Sequence, residues 1–441
     1  MSLAVISLGA LILALALSSI STVNVGFLAI VLAWLVGVYG SGQTVEQVIA
    51  WFPSSLFLTL VGLTLLFSMA QVNGTLDRIT HKAVRRAAGS PGIIPFVFFF
   101  LTNILASVGP GHIAATALMA PLAMAAAGRY RIPAFLMAIM VANGASSGSL
   151  SPIAPTGVVV EGITMKLGMP DVRWAIYWNN LIAHVAIAWT GYLVLGGWRL
   201  LRVKAPAEGV PHQVAAVGAV AASHLAGPSN AGPSPADRST INDTPFTWRQ
   251  WLTCAVIVGL VVSVIFLKLN VGLAAFAGAV ILTFARAADE TAAVKAMPWG
   301  VIMMVSGVTL LVTMVDKNGG MALFADFLAK LATPSSATAV AAFFSGAISI
   351  YSSTIAVVLP TLIPTVNDLI KNIGGGDALA IISSMIVGGH VVDVSPLSTL
   401  GALCMASAPP GTNSKRLFNQ LLAWGISMTF VAAVVCWVIF R

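Results

Sequence analysis

The sequence predicts an all-α polytopic membrane protein made of two inverted repeats, each with a re-entrant helical hairpin and a broken transmembrane helix. Three observations predict this fold class: an apolar composition, a second half that repeats the segment order of the first, and helix breaks at equivalent places. Of the 441 residues, 58% are hydrophobic and 8% are charged, whereas a soluble domain is about 25% charged. A soluble enzyme, a disordered chain and a fibrous chain are therefore excluded.

Apolar segments long enough to cross a bilayer, which takes about 20 residues, lie on both sides of one polar stretch. The first half has spans at 2–20, 23–40, 54–72 and 176–198, with a hairpin at 92–127 and a broken helix at 134–168. The second half has spans at 250–267, 270–285, 298–315 and 417–440, with a hairpin at 335–370 and a broken helix at 378–406. The composition predicts a first repeat over 1–202, a flexible cytoplasmic linker over 203–248 and a second repeat over 249–441.

Residue matches between the two halves favour a duplication. The segment 61–74 (VGLTLLFSMAQVNG) aligns with 306–319 (SGVTLLVTMVDKNG), and seven of the fourteen positions are identical. The segment 150–157 (LSPIAPTG) aligns in the same way with 394–401 (VSPLSTLG). Shared apolar composition accounts for matching leucines but not for the aligned Gly, Asn and Ser-Pro residues.

Charge supports an inverted topology. Each predicted repeat has five crossings and one hairpin, and an odd number of crossings inverts the second copy. With the N-terminus outside, fifteen of the 22 Lys and Arg residues lie on the cytoplasmic side, as the positive-inside bias requires. The net charge of +8 is thus loop charge, so the expected partner is the lipid bilayer and not nucleic acid.

Four breaks interrupt the apolar segments, at 109–112, 149–157, 349–354 and 393–399. Inside a bilayer a broken helix is tolerated only where it is buried in protein or lines an aqueous cavity. Paired breaks in two halves are typical of the binding site of a transporter. The alternative is that Ser, Thr and Gly simply let helices pack closely.

The breaks are rich in small and hydroxylated residues, with no Lys or Arg nearby, so an anion would be held by hydroxyls, amides and half-helix N-termini. The predicted substrate-binding residues are Gly111, His112, Ser149, Ser151, Thr156, Ser352, Ser353, Thr354, Ser395, Ser398 and Thr399. Carbonyls at unwound turns suit a hard cation such as sodium. The predicted cation-binding residues are Ser107, Gly109, Asn143, Gly148, Ser349, His390 and Asp393.

Ionisable residues inside a membrane are costly and default to function. Asp393 either ligates a cation, carries a proton or caps a half-helix N-terminus. His112 and His390 are either functional donors or proton carriers, or hydrogen-bonded packing residues. For His184, in the middle of the span at 176–198, packing is the favoured interpretation. The sequence has no P-loop, zinc motif, nucleophile elbow or dinucleotide fingerprint, so neither a cofactor nor an enzymatic activity is expected.

Four segments resemble a known family: 24–37 (NVGFLAIVLAWLVG), 52–77 (FPSSLFLTLVGLTLLFSMAQVNGTLD), 94–101 (IPFVFFFL) and 109–125 (GPGHIAATALMAPLAMA). They resemble the N-terminal half of the bacterial malonate/dicarboxylate carrier family, which is similar to the divalent-anion:sodium symporters of the ion-transporter superfamily. The specific resemblance covers roughly residues 1–160.

This resemblance implies an elevator-type secondary transporter, a homodimer of the bacterial inner membrane with separate scaffold and transport domains. The N-terminus, which the charge count places outside, is then expected in the periplasm. It implies uptake of a small dicarboxylate, with malonate favoured, and Na+ as the coupling ion. The hairpin tips here read GPGHIAAT (109–116) and SIYSST (349–354) instead of the Ser-Asn-Thr signature of the symporter relatives. The unwound turns read SPIAPT and SPLST, where relatives are rich in Thr-Pro-Pro-Asn.

Three other functions stay open at this point. Coupling to H+ through Asp393 or His390 is the first. The second is a membrane subunit that depends on a periplasmic binding protein, as in tripartite carriers of the same superfamily. The third is an oxyanion exporter, because that branch shares the inverted architecture.

Overall fold

A computed structural model describes residues 2–20, 23–76, 78–79, 91–109, 111–202, 245–267, 269–350, 353–409 and 411–440. Within these ranges the chain forms helices and turns, and no strand occurs. The predicted linker lies outside the described residues up to position 244. The all-helical class expected from the composition is therefore confirmed.

The helices before the linker have bounds close to those of the predicted segments. They are α1 (Leu3–Ile20), α2 (Val25–Leu35, continued by a π-helical turn at Val36–Gly40), α3 (Val45–Ala50), α4 (Ser54–Val72), α5 (Ile94–Val108), α6 (Gly111–Tyr130), α7 (Ala134–Gly148), α8 (Pro155–Lys166) and α9 (Arg173–Val194). A 3₁₀ segment, Gly197–Arg202, follows α9.

The helices after the linker follow a similar order. They are α10 (Trp248–Phe266), α11 (Val271–Phe284), α12 (Glu290–Ala296), α13 (Trp299–Lys317), α14 (Gly320–Ala329), α15 (Ala337–Ser349), α16 (Leu359–Leu362), α17 (Val366–Ile373), α18 (Ala378–Val392), α19 (Thr399–Ala406) and α20 (Ser414–Ile439). Four helices of the described chain, α4, α6, α13 and α20, are each long and apolar enough to cross a membrane.

Side-chain caps start several of these helices. Asn24 accepts a hydrogen bond from the backbone N–H of Gly26 at the start of α2, and Asn270 accepts one at the start of α11. Thr44 and Thr247 form capping boxes with the Gln three residues later, at the starts of α3 and α10. Each cap satisfies an N–H that would otherwise have no partner in the first helical turn.

Four interruptions separate helices at the places where the sequence predicted breaks. The first lies between the end of α5 at Val108 and the start of α6 at Gly111, and these two helices pack against each other. The second interruption lies between α15 and a π-helical turn at Thr354–Val358. The other two, at 149–154 and 393–398, separate α7 from α8 and α18 from α19; we call them the first break and the second break.

The helices pack as two groups. One group contains α5–α9 and α15–α20, where α5 packs along α7, α15 packs along α18, and α9 contacts both α7 and α18. The other contains α1–α4 and α10–α14, where α2 packs against α13 and α4 packs against α11. The groups meet where α14 packs against α17, where α8 contacts α4 and where the π-helical turn contacts α13.

Two glycine contacts let the helices of the second group cross closely. A Cβ atom at Gly307 of α13 would lie 2.2 Å from the carbonyl oxygen of Gly26 in α2. A Cβ atom at Gly62 of α4 would lie 2.4 Å from the carbonyl oxygen of Gly272 in α11. Gly26 and Gly272 are the third residues of matching Asn-Val-Gly segments, and Gly62 aligns with Gly307. Each crossing therefore pairs a glycine of one half with a glycine of the other half, and exchanging the two halves turns one pair into the other.

Candidate functional site

The three histidines that the structure describes come together beside one aspartate. His112 lies in the first turn of α6, His184 in the middle of α9, and His390 in the last turn of α18, three residues before Asp393. The ring centroid of His390 lies 5.9 Å from that of His112 and 6.1 Å from that of His184. All four residues are buried, with at most 3% exposure. We call these four residues the histidine–aspartate cluster.

Asp393 is held by hydroxyl groups from two elements. Its Oδ1 accepts hydrogen bonds from Ser349 Oγ at 3.0 Å and from Ser398 Oγ at 2.7 Å. Ser349 Oγ also lies 2.6 Å from Thr354 Oγ1. The end of α15 and the π-helical turn are thereby tied to the second break.

The other carboxylate oxygen of Asp393 points toward His112. The distance between Asp393 Oδ2 and His112 Nε2 is 4.0 Å, which is too long for a hydrogen bond. Among the described residues Asp393 Oδ2 has no hydrogen-bond partner. The first hairpin tip therefore meets the second break across a gap between two polar groups.

His184 is fixed by a hydrogen bond and not only by packing. Its Nδ1 lies 2.9 Å from Oδ1 of Asn143 on α7. The same Asn143 donates from Nδ2 to the carbonyl oxygen of Ile139 at 2.9 Å. His184 Nε2 and both ring nitrogens of His390 have no hydrogen-bond partner within the described ranges.

The first break is lined mainly by hydroxyls that bond to the nearby backbone. Ser149 Oγ donates to the carbonyl oxygen of Ser146 at 2.7 Å, and Ser147 Oγ donates to that of Gly144 at 2.7 Å. Asn180 of α9 donates to the carbonyl oxygen of Ser146 at 2.8 Å. The carbonyl oxygen of Ser146 thus accepts hydrogen bonds from two side chains at the end of α7.

The two breaks share one backbone arrangement. A Cβ atom at Gly157 would lie 2.0 Å from the carbonyl oxygen of Ser151, and one at Gly401 would lie 2.1 Å from that of Ser395. Each half-helix thus turns back onto the residue six positions earlier, which leaves no room for a side chain.

The remaining predicted residues line the interruptions or lie close to them. A Cβ atom at Gly148 would lie 2.7 Å from Ser107 Oγ, and one at Gly111 would lie 3.5 Å from Pro155, so the first hairpin tip contacts the first break. Five more are buried at or next to the four interruptions, namely Gly109, Ser151, Thr156, Ser353 and Ser395. Thr399, the first residue of α19, is half-buried. Ser352 lies outside the described residues.

Charge within the protein is sparse. In the described part of the chain, Arg78 and Asp393 are the residues with formally charged side chains that are buried. Arg78 bonds to the carbonyl oxygen of Pro245 and to Gln250 near the start of α10, so it does not belong to the histidine–aspartate cluster. Over the same described ranges, no group of three or more His, Cys, Asp and Glu residues is arranged to hold a metal ion.

Two polar residues of α9 are more closely tied to the site than sequence reasoning expected. His184 was expected mainly to pack, and Asn180 was not singled out at all. They lie four residues apart, which places them on one face of a helix, and this spacing was a signal available in the sequence. What the spacing does not give is the partner, since Asn143 and Ser146 lie on another helix.

The N-terminal third of the chain matches a protein family. Residues 1–149 match the family model "Dicarboxylate carrier protein MatC N-terminus". This confirms the resemblance that the sequence segments predicted. No curated protein matches the chain.

Two solved structures share the fold. The YdaH transporter of Alcanivorax borkumensis is 15% identical and has a TM-score of 0.52, with 89% of this chain and 86% of that chain covered. MtrF of Neisseria gonorrhoeae, whose structure is described as illuminating a class of antimetabolite efflux pumps, is 14% identical and has a TM-score of 0.53, with 91% and 83% covered. At these identities the likeness shows the fold alone. The chain thus shares the fold of these two proteins, and its residues 1–149 match the model of the N-terminal region of the MatC dicarboxylate carrier family.

Proposed function

We propose that this protein is a secondary active transporter that takes up a small dicarboxylate, with malonate as the favoured substrate, coupled to a sodium gradient. The observation that carries the proposal is the meeting of the first hairpin tip, the end of α15 and the second break at one buried polar cluster. The match of residues 1–149 to a dicarboxylate carrier family supports a dicarboxylate as the class of substrate.

Dipoles provide the attraction for an anionic substrate. The N-termini of α6, α8 and α19 begin at interruptions, and the N-terminus of a helix carries partial positive charge and free N–H groups. His112, Thr156 and Thr399 lie in the first turns of these three helices. Since no buried Lys or Arg lies among these described residues, the substrate carboxylates are bound by N–H and O–H groups, with a co-bound cation to balance their charge.

An inverted repeat with an elevator motion fits the packing. The exchanged glycine crossings, Gly26 with Gly307 and Gly62 with Gly272, are what a pseudo-twofold relation between two copies produces. In the proposal, α1–α4 and α10–α14 form the scaffold domain, and the helices that bear the interruptions form the moving domain. A homodimer in the bacterial inner membrane, with the N-terminus in the periplasm, completes the proposal.

Proton coupling is a second candidate, and one observation favours it. A buried carboxylate and three buried imidazoles form the histidine–aspartate cluster, and ionisable groups inside a membrane protein are typical of proton pathways. In this variant Asp393 carries H+ in place of the sodium ion.

Uptake by the purified single chain in proteoliposomes tests both sodium coupling and proton coupling. With labelled malonate outside the vesicles and an inward sodium gradient, we expect malonate to accumulate inside. This accumulation is lost when choline replaces sodium. Equal uptake in choline contradicts sodium coupling, and accumulation driven by an inward proton gradient then identifies the second candidate. An Asp393→Asn variant whose uptake keeps the pH dependence of the wild type excludes Asp393 as the proton carrier.

The same assay addresses the other functions. Uptake by the single chain excludes a requirement for a separate binding protein. Efflux of arsenite from loaded vesicles, without malonate uptake, contradicts the proposal and identifies an oxyanion exporter. Protein-free liposomes measure leakage.

A further inference from the structure

The histidine–aspartate cluster concentrates buried polar atoms that have no partner within the described part of the chain. They are Asp393 Oδ2, Nδ1 and Nε2 of His390, and Nε2 of His184. Buried polar atoms are almost always hydrogen-bonded, because an unpaired one loses its bond to water without replacement. Four such atoms in one place indicate that the working protein binds a polar group there.

Asn143 fixes the direction of hydrogen bonding at one end of the cluster. Its Nδ2 donates to the carbonyl oxygen of Ile139, so its Oδ1 is the atom that accepts from His184 Nδ1. A neutral imidazole has one donor nitrogen and one acceptor nitrogen. His184 Nε2 therefore presents a lone pair to the cluster.

Asp393 fixes the direction at the other end. Its Oδ1 is already paired with Ser349 and Ser398, and the ionised Oδ2 only accepts. His390, between the two ends, supplies one donor and one acceptor. Among the four atoms named above, acceptors thus outnumber donors by three to one, and a second ionised carboxylate, which also only accepts, would leave Asp393 Oδ2 facing further lone pairs.

We propose that Asp393 Oδ2 accepts a hydrogen bond from the bound substrate, so that this position selects the monoprotonated form of a dicarboxylate. A carboxylic acid group has one O–H donor, for Asp393, and a C=O acceptor, for the N–H of His112 or His390. The ionised carboxylate at the other end of the substrate is left to the helix N-termini. This inference rests on the proposed function, since it specifies the form of the substrate.

The cluster is closed to solvent, with His184 and His390 fully buried. Among the described residues, the groups that face Asp393 are His112 of α6, Ser349 of α15, Thr354 of the π-helical turn and Ser398 of the second break itself. A substrate can reach Asp393 only after a rearrangement, and in the proposal the tip of α6 separates from the second break to admit it.

A carboxamide keeps the required donor and acceptor without a titrating proton. The probes are malonate and its half-amide, 3-amino-3-oxopropanoate, titrated calorimetrically at pH 8 in sodium buffer against the full chain in detergent. We expect the wild type to bind the half-amide at least as tightly as malonate. In Asp393→Asn, Ser349 and Ser398 hold the amide oxygen, so Nδ2 faces the substrate as a donor. We expect the ratio of malonate affinity to half-amide affinity to rise by about tenfold to a hundredfold relative to the wild type.

A matched control makes the same Asp-to-Asn substitution at a residue away from the cluster. Asp171 is an exposed carboxylate that pairs with Arg173, and Asp171→Asn is expected to keep the preference of the wild type. If Asp393→Asn fails to fold, the wild-type comparison decides alone.

Three outcomes overturn the inference. A wild type that binds malonate but rejects the half-amide by more than tenfold overturns it and leaves the proposed function standing. Loss of both ligands together with sodium dependence in Asp393→Asn overturns it by assigning Oδ2 to the cation. A wild type that binds neither probe overturns the proposed function as well.

Discussion

The first and second breaks have the same backbone and different chemistry. Each interrupts a helix for six residues, and each brings a glycine, Gly157 or Gly401, against the carbonyl of the residue six positions earlier. At the positions where the second break has His390 and Asp393, the first has Ser146 and Ser149. The serine hydroxyl bonds within its own chain segment, whereas Asp393 bonds to Ser349 of another helix.

This difference teaches that the backbone of a repeat and its chemistry are separable. The shared Ser-Pro and Gly positions specify where each helix stops and restarts. The side chains at the turn then decide whether the break bonds only within its own segment or also to a neighbouring helix. In this protein the second break carries the charge, and the first supplies hydroxyls and backbone groups.

The largest effect is expected from the glycines that both breaks share. Gly157→Ala and Gly401→Ala each place a Cβ atom about 2 Å from a carbonyl oxygen, so each is expected to cost about 3 kcal/mol of stability or more. Gly162→Ala, at a position in α8 with open space around it, is the matched control and is expected to be neutral or stabilising. Apparent melting temperatures in detergent measure all three. Normal stability in either break variant contradicts the shared arrangement.

Equivalent positions in the breaks should differ in their effect on uptake. Asp393→Ala removes the acceptor of Ser349 and Ser398, and we expect malonate uptake to fall by about a hundredfold, since hydrogen bonds to a charged group are worth about 1.5–3 kcal/mol. Ser149→Ala removes a bond to the carbonyl of Ser146 only, and we expect a loss of about threefold or less. Initial uptake rates per mole of protein provide the comparison. Equal losses would show that the two breaks contribute alike.

A smaller effect is expected at the Asn143–His184 hydrogen bond, which joins α7 to α9 beside the cluster. Asn143→Ala leaves His184 Nδ1 buried and unpaired, at a cost of about 1–3 kcal/mol. The double variant with His184→Ala removes both partners, so its cost is expected to be less than the sum of the single costs. Unfolding of the two single variants and the double variant measures the coupling. Additive costs would mean that the bond contributes nothing of its own.

Much of the fold was predictable from local sequence. Helix α4 has the predicted bounds, and the broken helices were expected at 134–168 and 378–406 and lie at 134–166 and 378–406, because Pro, Gly and Ser clusters end apolar runs. The short helices α3, α12 and α14 were not predicted, since they are too short to form an apolar span. For α3 the capping box at Thr44 was a usable signal.

The site was predictable in part. His112 and Asp393 stood out as ionisable residues at the breaks, and they lie 4.0 Å apart. Their proximity was not predictable, because it depends on how α6 packs beside the second break, about 280 residues along the chain. The same holds for His184, whose register against α7 decides that it meets Asn143. The roles of these residues in binding stay predictions.

The most direct test of the account is a structure of the full chain determined with malonate and sodium. The account predicts density for the dicarboxylate between the tip of α6 and the second break, with one carboxyl group within hydrogen-bond distance of Asp393 Oδ2. Density for the acid only at the first break, or between the helix groups away from Asp393, would contradict it.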